Sequence, residues 1–203
     1  MQSIKFNKQT LYPSKVVCIG RNYVAHINEL ENKMPDEPVI FIKPNSSIHN
    51  KVCFNKNERI DYESEISFLI KSGEIAAVGF GLDLTKRNLQ AKLKNQGLPW
   101  ERAKAFDKSA VFSEFVNFEC DVNDLSIELY VNDKLVQSAS CKLMLTKPNE
   151  FLREVKSFMT LEDNDLLMSG TPKGVGEIHL GDTLLGKIIH ENETLVQSSW
   201  VVE

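Results

Sequence analysis

The chain has 203 residues, of which 42% are hydrophobic and 26% are charged, and its formal net charge at pH 7 is −4. These values are typical of a globular protein, and we expect a single domain over 1–203 with a short N-terminal segment at 1–13. The lysines and arginines are scattered, and a slightly acidic chain without a basic patch excludes nucleic acid as an expected partner.

The N-terminal half alternates apolar runs with polar loops. It predicts, in chain order, a strand at 14–20, a helix at 22–32, a strand at 38–44, a strand at 60–70, a turn at 71–74 and a return strand at 75–84. A helix follows, with Thr85 as its candidate N-cap and Gly97 as its stop.

The C-terminal half is again rich in strand patterns. It predicts a loop at 97–110, a hairpin at 125–140 around Asn132 and Asp133, a helix at about 147–158, and final strands at 182–190 and 194–203. Strands dominate, helices are short, and no regular alternation of strand and helix appears. The sequence therefore predicts an α+β, β-rich chain with a large mixed or antiparallel sheet.

The four cysteines lie far apart, and no Cys-x-x-Cys or His-rich spacing indicates a zinc site. This usage favours reduced thiols in the cytoplasm. The first ten residues contain no apolar signal region, and no stretch approaches about 18 apolar residues. We therefore expect a soluble, cytoplasmic protein that has no membrane partner.

Two carboxylates interrupt the strand "IDYESEISFLI" at 60–70. Glu63 and Glu65 point to the same face about 6–7 Å apart, because side chains alternate along a strand. If 71–74 is the turn, Asp83 on the return strand lies opposite position 62, next to Glu63. Three oxygen ligands without Cys or His suit a hard cation, Mg²⁺ or Mn²⁺. The alternative is a solvated outer face of an amphipathic strand.

His26 and Glu29 lie three residues apart, so on a helix they share one face. The pair suits general base catalysis, in which the carboxylate fixes the tautomer of the imidazole. An ordinary surface ion pair is the alternative interpretation.

Several motifs occur in a fixed order from about Ser14 to the last strand: "GRNYVAHINEL", "FIKP", "DYESEI", "GLDLTKRNLQ", "GLPWERAKAFD", "VNDKLVQ" and "SGTPKGVG" with "GD" shortly after. Together they resemble the fumarylacetoacetate hydrolase family, and especially its short, single-domain acylpyruvase branch. The resemblance implies mixed sheets that form a β-roll with a few short helices, a homodimer, and Mg²⁺ or Mn²⁺ held by Glu63, Glu65 and Asp83.

The resemblance also implies roles for other residues. His26 and Glu29 become a catalytic dyad on a short lid helix, and Lys104 contacts the substrate near the metal, where it stabilises an oxyanion. The implied substrate-binding residues are Arg21, Arg87, Gln90, Gly170 and Thr171. For Arg87 and Gln90, an exposed polar helix face is the alternative.

Other residues in these motifs receive a structural interpretation. Lys86, Lys92 and Lys94 are expected on a solvated helix face, Lys43 is expected to be structural or at the pocket rim, and Trp100 is expected to be a packing anchor. Asn88 stands where many members of the family carry aspartate, which we expect to soften the surroundings of the metal.

The implied activity is a metal-dependent hydrolysis of a carbon–carbon bond in an acylpyruvate, a small 2-oxo acid, to pyruvate and a carboxylate through an enolate. The alternatives on the same site are decarboxylation or keto–enol tautomerisation of oxaloacetate, and isomerisation or hydration of a 2-hydroxymuconate-type diacid. A metal- and oxo-acid-binding paralogue without catalysis is the alternative from another class.

Overall fold

Strands dominate the computed structural model, which describes all residues from Met1 to Glu203. The sixteen strands are β1 (Ile4–Phe6), β2 (Gln9–Leu11), β3 (Lys15–Gly20), β4 (Val39–Pro44), β5 (Ile48–His49), β6 (Ile60–Tyr62), β7 (Ser64–Lys71), β8 (Glu74–Asp83), β9 (Thr85–Lys86), β10 (Ala110–Phe112), β11 (Leu125–Val131), β12 (Lys134–Ser140), β13 (Leu166–Met168), β14 (Gly176–Glu177), β15 (Thr183–His190) and β16 (Glu193–Val201). The helices are α1 (Val24–Glu29), α2 (Arg87–Asn95), α3 (Glu101–Lys104) and α4 (Pro148–Phe158), and short 3₁₀ turns cover Asn45–Ser47, Val122–Asp124 and Cys141–Leu143. None of the helices has the length and apolar character needed to cross a bilayer.

The strands form one large mixed sheet and three smaller sheets. The large sheet has seven strands in the order β4-β3-β13-β7-β8-β10-β5, in which β13 pairs with β3 and β10 with β5 in parallel. An antiparallel sheet of four strands has the order β12-β11-β15-β16, and β14-β6-β9 and β1-β2 form the two small sheets. The predicted β-rich fold with mixed sheets and short helices is confirmed.

The main core joins the large sheet to the four-stranded sheet. Its buried residues come from both sheets. Phe80 on β8 packs against Trp200 on β16 at a ring-centroid distance of 5.8 Å. Gly186 on β15 permits this approach, because a Cβ there would lie 2.5 Å from the Phe80 ring. Each buried apolar side chain stabilises the fold by about 1.5–3 kcal/mol, so this core fixes β7 and β8 as a rigid platform.

The hairpin β7–β8 turns at Ser72 and Gly73, whose φ angles are 51° and 74°. Two successive residues with positive φ are typical of the tight turns that match the twist of paired strands. The predicted turn at 71–74 is therefore confirmed, because Lys71 pairs directly with Glu74.

The register of this hairpin changes by one residue along its length. A bulge between Leu69 and Ile70 shifts the pairing, so Asp83 lies opposite Glu63 and not opposite position 62 as the turn alone predicts. The Asp83 N–H donates to the Glu63 carbonyl oxygen at 2.8 Å. The bulge thus brings the two carboxylate-bearing residues into direct opposition.

Predictions for the helices succeed in part. The predicted helix at 22–32 is shorter, Val24–Glu29, and the chain leaves helical geometry at Glu31, where φ is 51°. The predicted loop at 97–110 contains the short helix α3. The helix predicted at 147–158 is confirmed as α4, whose N-terminus is closed by a bond from the Lys147 N–H to Glu150.

Thr85 does not cap α2, and this prediction was wrong. Lys86 occupies the cap position and Thr85 belongs to β9, where its hydroxyl donates to the Asp83 carbonyl oxygen at 3.1 Å. The Gly97 prediction is confirmed, because Gly97 has a φ of 65° just after α2 and donates to the Lys94 carbonyl oxygen. The hairpin around Asn132 and Asp133 is confirmed as β11–β12.

Candidate active site

Three carboxylates converge at the open end of the β7–β8 hairpin. Glu63 lies between β6 and β7, Glu65 on β7 and Asp83 at the end of β8, and each is at most 5% exposed. One oxygen from each lies within 4.8 Å of the other two. The alternative of a solvated outer face was wrong, and the cluster has the oxygen donors that Mg²⁺ and Mn²⁺ prefer.

Lys104 on α3 bridges two of these carboxylates. Its Nζ lies 2.7 Å from Glu63 Oε2 and 2.6 Å from Asp83 Oδ2, and it also donates to Thr85 Oγ1 at 2.7 Å. Burial alone would lower the pKa of Lys104, but the negative charges of Asp83 and Glu63 outweigh this effect and raise the pKa. The lysine is therefore a buried cation at the centre of the cluster.

Lys43 on β4 is a second buried cation. The sequence motif that contains it gives little indication of this burial. Its side chain is fully buried, and Nζ lies 2.7 Å from Asp83 Oδ1. It also donates to Ser109 O and Oγ at 3.1 and 3.0 Å and to the carbonyl oxygen of Lys104. The expectation of a structural residue fits, whereas a place at the pocket rim does not.

Glu65 has no cationic partner, in contrast to the other two carboxylates. It accepts the N–H of Gly170 at 2.7 Å, and burial together with Asp83 raises its pKa well above the usual range. Burial alone would also raise the pKa of Glu63, but the positive charges of Lys104 and Arg87 outweigh this effect and hold the pKa of Glu63 well below the usual range. A divalent cation held by Glu63, Glu65 and Asp83 would supply the positive charge that Glu65 lacks, so the residues present fit Mg²⁺ or Mn²⁺.

Arg87 on α2 fixes Glu63 from the other side. Its Nη2 donates to Glu63 Oε1 at 2.5 Å, its Nε to Asp61 Oδ2 at 2.8 Å and its Nη1 to Gln90 Oε1 at 2.8 Å. Gln90 is 7% exposed, so the alternative of an exposed helix face was wrong for this pair. Every nitrogen of Arg87 already has a partner, which makes it an orienting residue for Glu63 in this structure.

The His26–Glu29 pair forms on α1 at the edge of the cluster. His26 Nδ1 lies 3.1 Å from Glu29 Oε2, and Glu29 Oε1 accepts the N–H of Gly174 at 2.8 Å. His26 is 5% exposed, whereas the Glu29 side chain is 32% exposed, so the histidine faces the interior and the carboxylate lies at the surface. With Nδ1 held by the carboxylate, Nε2 is the ring nitrogen available for proton exchange.

The loop that contains Gly170 and Thr171 closes the site on a further side. Gly170 has a φ of 92° and packs so tightly on Asn22 that a Cβ would come within 2.8 Å of the Asn22 Cβ. The Thr171 hydroxyl accepts from Gln137 Nε2 at 2.9 Å, and Gln137 also accepts from the Ser64 N–H. The Gly170 N–H is therefore used on Glu65, while Thr171 lines the cavity.

One small cavity brings most of the predicted site residues together. Among those that line it are Arg21, His26, Glu63, Glu65, Asp83, Arg87, Gln90, Lys104 and Thr171. Its free volume is about 30 Å³, and α1 contributes His26 to its lining. A larger cavity of about 690 Å³ beside α3 is mostly apolar and contains none of the three carboxylates.

Two further residues, which were not predicted as site residues, line this cavity. Lys94 was predicted on a solvated face, but it is half-buried in the cavity wall, where it lies on the same face of α2 as Arg87 and Gln90. The spacing of three and seven residues is the signal that identifies it. Trp100 also lines the cavity, and its ring packs on the Phe41 ring at a centroid distance of 6.0 Å, as expected of a packing anchor.

Asn88 is exposed, so the expectation that it softens the surroundings of the metal was wrong.

Comparison with known proteins identifies the family of the chain and two similar enzymes. A family model described as fumarylacetoacetate (FAA) hydrolase C-terminal matches residues 15–199. The mitochondrial oxaloacetate tautomerase oaa1 of Schizosaccharomyces pombe is 35% identical over 199 residues, covering 88% of this chain and 90% of that protein. The oxaloacetate tautomerase YcgM of Escherichia coli K12 is 36% identical over 192 residues, covering 85% and 88%.

A solved structure shares the architecture. The fumarylpyruvate hydrolase of Pseudomonas aeruginosa, in complex with Mn²⁺ and pyruvate, superimposes with a TM-score of 0.85 at 27% identity. The alignment covers 99% of this chain and 96% of that one. The β-rich architecture of this chain is therefore the architecture of that enzyme.

Proposed function

The chain belongs to the fumarylacetoacetate hydrolase family, and from this premise we propose that it is a divalent-metal-dependent oxaloacetate tautomerase. The observation that carries the proposal is that three buried carboxylates line one cavity together with His26, the histidine that Glu29 holds. The similarity to two oxaloacetate tautomerases favours this activity over the acylpyruvate hydrolysis predicted from the sequence.

Glu63, Glu65 and Asp83 would hold the metal, with Arg87 and the Gly170 N–H keeping two of them in place. Bound Mg²⁺ or Mn²⁺ would supply Lewis-acid stabilisation of the negative charge that develops on the 2-oxo oxygen of the substrate. Lys104 adds a buried positive charge beside the same oxygen donors.

Tautomerisation moves one proton between C3 and the 2-oxo oxygen and consumes no water. His26 is the residue that carries this proton through Nε2, because its Nδ1 is bound to Glu29. Glu29 is itself fixed by the Gly174 N–H, so the imidazole keeps one tautomer and one orientation.

The test follows the decay of enol-oxaloacetate by its ultraviolet absorbance with purified protein. Protein loaded with Mg²⁺ or Mn²⁺ should accelerate ketonisation over the buffer rate, and chelation should remove the acceleration. His26→Asn should lower kcat by about 10²- to 10⁴-fold. A chelated protein as active as the loaded one would contradict the proposal.

Hydrolysis of an acylpyruvate remains the second candidate, because a histidine oriented by a carboxylate also suits the activation of water. The likeness to the fumarylpyruvate hydrolase supports it. Release of pyruvate from acetylpyruvate or fumarylpyruvate, measured by a coupled assay on the same protein, distinguishes the two activities. A homodimer and the choice between Mg²⁺ and Mn²⁺ stay parts of the proposal, to be measured by light scattering and metal titration.

A further inference from the structure

The cavity contains more cations than its carboxylates neutralise. Four basic residues line it, namely Arg21, Arg87, Lys94 and Lys104. Lys104 is paired with Glu63 and Asp83, and Arg87 with Glu63 and Asp61. Arg21 and Lys94 form no ion pair, and their charges face the cavity without a counterion.

Lys94 is held in this position without being neutralised. Its Nζ donates to Asn32 Oδ1, a neutral acceptor just after α1. Burial, followed by repulsion from Arg21 and Arg87, lowers the pKa of Lys94. A negative charge placed beside Lys94 would relieve this repulsion.

Arg21 lines the cavity, and its backbone is strained. It has a φ of 56°, which is uncommon for a residue other than glycine, and its guanidinium carbon lies 5.7 Å from the centroid of the Trp100 ring. The buried Nε of Arg21 has no hydrogen-bond partner. A buried donor without a partner is costly, which indicates that a ligand acceptor completes it.

We propose that Lys94, together with Arg21, binds the distal carboxylate of a dicarboxylic 2-oxo acid. This inference rests on the proposed function, because it takes the 2-oxo acid end to lie at Glu63, Glu65 and Asp83. It assigns to Lys94 a specificity-determining role: the pair selects substrates that end in a carboxylate over those with a neutral tail. Two charge-assisted hydrogen bonds to one carboxylate would provide this selection.

The test compares oxaloacetate with its 4-methyl ester, which keeps the 2-oxo acid end and removes the distal charge. Binding is measured by calorimetry on the Mn²⁺-loaded protein, and KM and kcat for ketonisation are measured in parallel. Lys94→Gln should weaken binding of oxaloacetate and raise its KM by about 10- to 100-fold, and change neither for the ester. Lys94→Arg should restore most of the preference, and Lys92→Gln, on the exposed face of the same helix, should behave as wild type.

An equal loss for both ligands in Lys94→Gln would overturn the inference, since it would make Lys94 a tether of the lid through Asn32. Equal affinity of wild type for acid and ester would overturn it as well. Protein that prefers the acid in binding, loses this preference in Lys94→Gln and yet catalyses no ketonisation would support the inference while contradicting the proposed function.

Discussion

Lys43 Nζ lies 2.7 Å from Asp83 Oδ1, and both side chains are almost completely buried. Lys104 holds the other oxygen of the same carboxylate at 2.6 Å. Asp83 is thus fixed between two lysines, one beneath the sheet end and one in the cavity. The geometry of the carboxylate cluster therefore depends on a residue that does not line the cavity.

Replacement of Lys43 by methionine should destabilise the protein strongly. The change removes one of the two buried lysines that neutralise Asp83, together with the buried bonds from Lys43 to Ser109, and the free energy of unfolding should fall by about 3–5 kcal/mol. Urea unfolding followed by circular dichroism measures the change. Lys134→Met, at the exposed start of β12, is the control and should change it by less than about 0.5 kcal/mol. A loss below about 1 kcal/mol for Lys43→Met would contradict this account.

Glu65→Gln should weaken binding of Mn²⁺ by at least about tenfold, because it removes a charged ligand. Glutamine keeps the acceptor for the Gly170 N–H, so the fold should survive. The variant should also be more stable than wild type without metal, since Glu65 is a buried carboxylate without a cation. Calorimetric Mn²⁺ titration and metal-free urea unfolding measure the two effects, with exposed Glu193→Gln as control. Unchanged Mn²⁺ affinity would show that Glu65 is not a ligand.

Glu29→Gln should lower kcat for ketonisation by about 10- to 100-fold with little effect on KM. The amide still reaches the Gly174 N–H but no longer supports positive charge on His26. Glu31→Gln, two residues further along the same segment and exposed, should leave kcat unchanged. Steady-state kinetics of both variants at one metal concentration check the prediction, which fails if the two variants behave alike.

Asp165 should make stability depend on pH below about 4. Its buried carboxylate accepts from the Ser14 hydroxyl at 2.6 Å and from Lys15 Nζ at 2.5 Å. Burial opposes the charge, but these bonds outweigh it and lower the pKa of Asp165 below its usual value. Because the folded pKa is depressed, the stabilisation is complete above the unfolded pKa of about 3.9 and is lost as the pH falls through the folded value.

Asp165→Asn should therefore reduce the free energy of unfolding at pH 7 by about 2–3 kcal/mol and flatten its decline below about pH 4. Urea unfolding at several pH values measures both effects. Exposed Asp36→Asn is the control and should follow the wild-type profile. A parallel decline of wild type and Asp165→Asn in acid would show that another group is responsible.

Local rules predicted the carboxylate cluster because it is a property of one hairpin. Strand alternation placed Glu63 and Glu65 on one face, and the turn at 71–74 brought Asp83 back to them. The bulge between Leu69 and Ile70 was not predictable, because packing of the completed sheet, and no local motif, decides where the ladder shifts.

Residues that arrive from distant elements were harder to predict. Lys43 follows an apolar strand, and nothing in "VIFIKP" reveals that Ser109 and Asp83 lie above it. Lys94 shares a helix face with Arg87, but only the fold shows that this face covers the cavity. Tertiary placement, not local pattern, determined the burial of both lysines.

The most direct test of the central claim is diffraction from a crystal soaked in Mn²⁺, recorded at a wavelength where manganese scatters anomalously. We predict one strong anomalous peak at about 2.0–2.3 Å from an oxygen of each of Glu63, Glu65 and Asp83, and a weaker peak in Glu65→Gln crystals soaked alike. Absence of a peak at these carboxylates in the wild-type crystal, with Lys104 Nζ still bridging Glu63 and Asp83, would contradict the account.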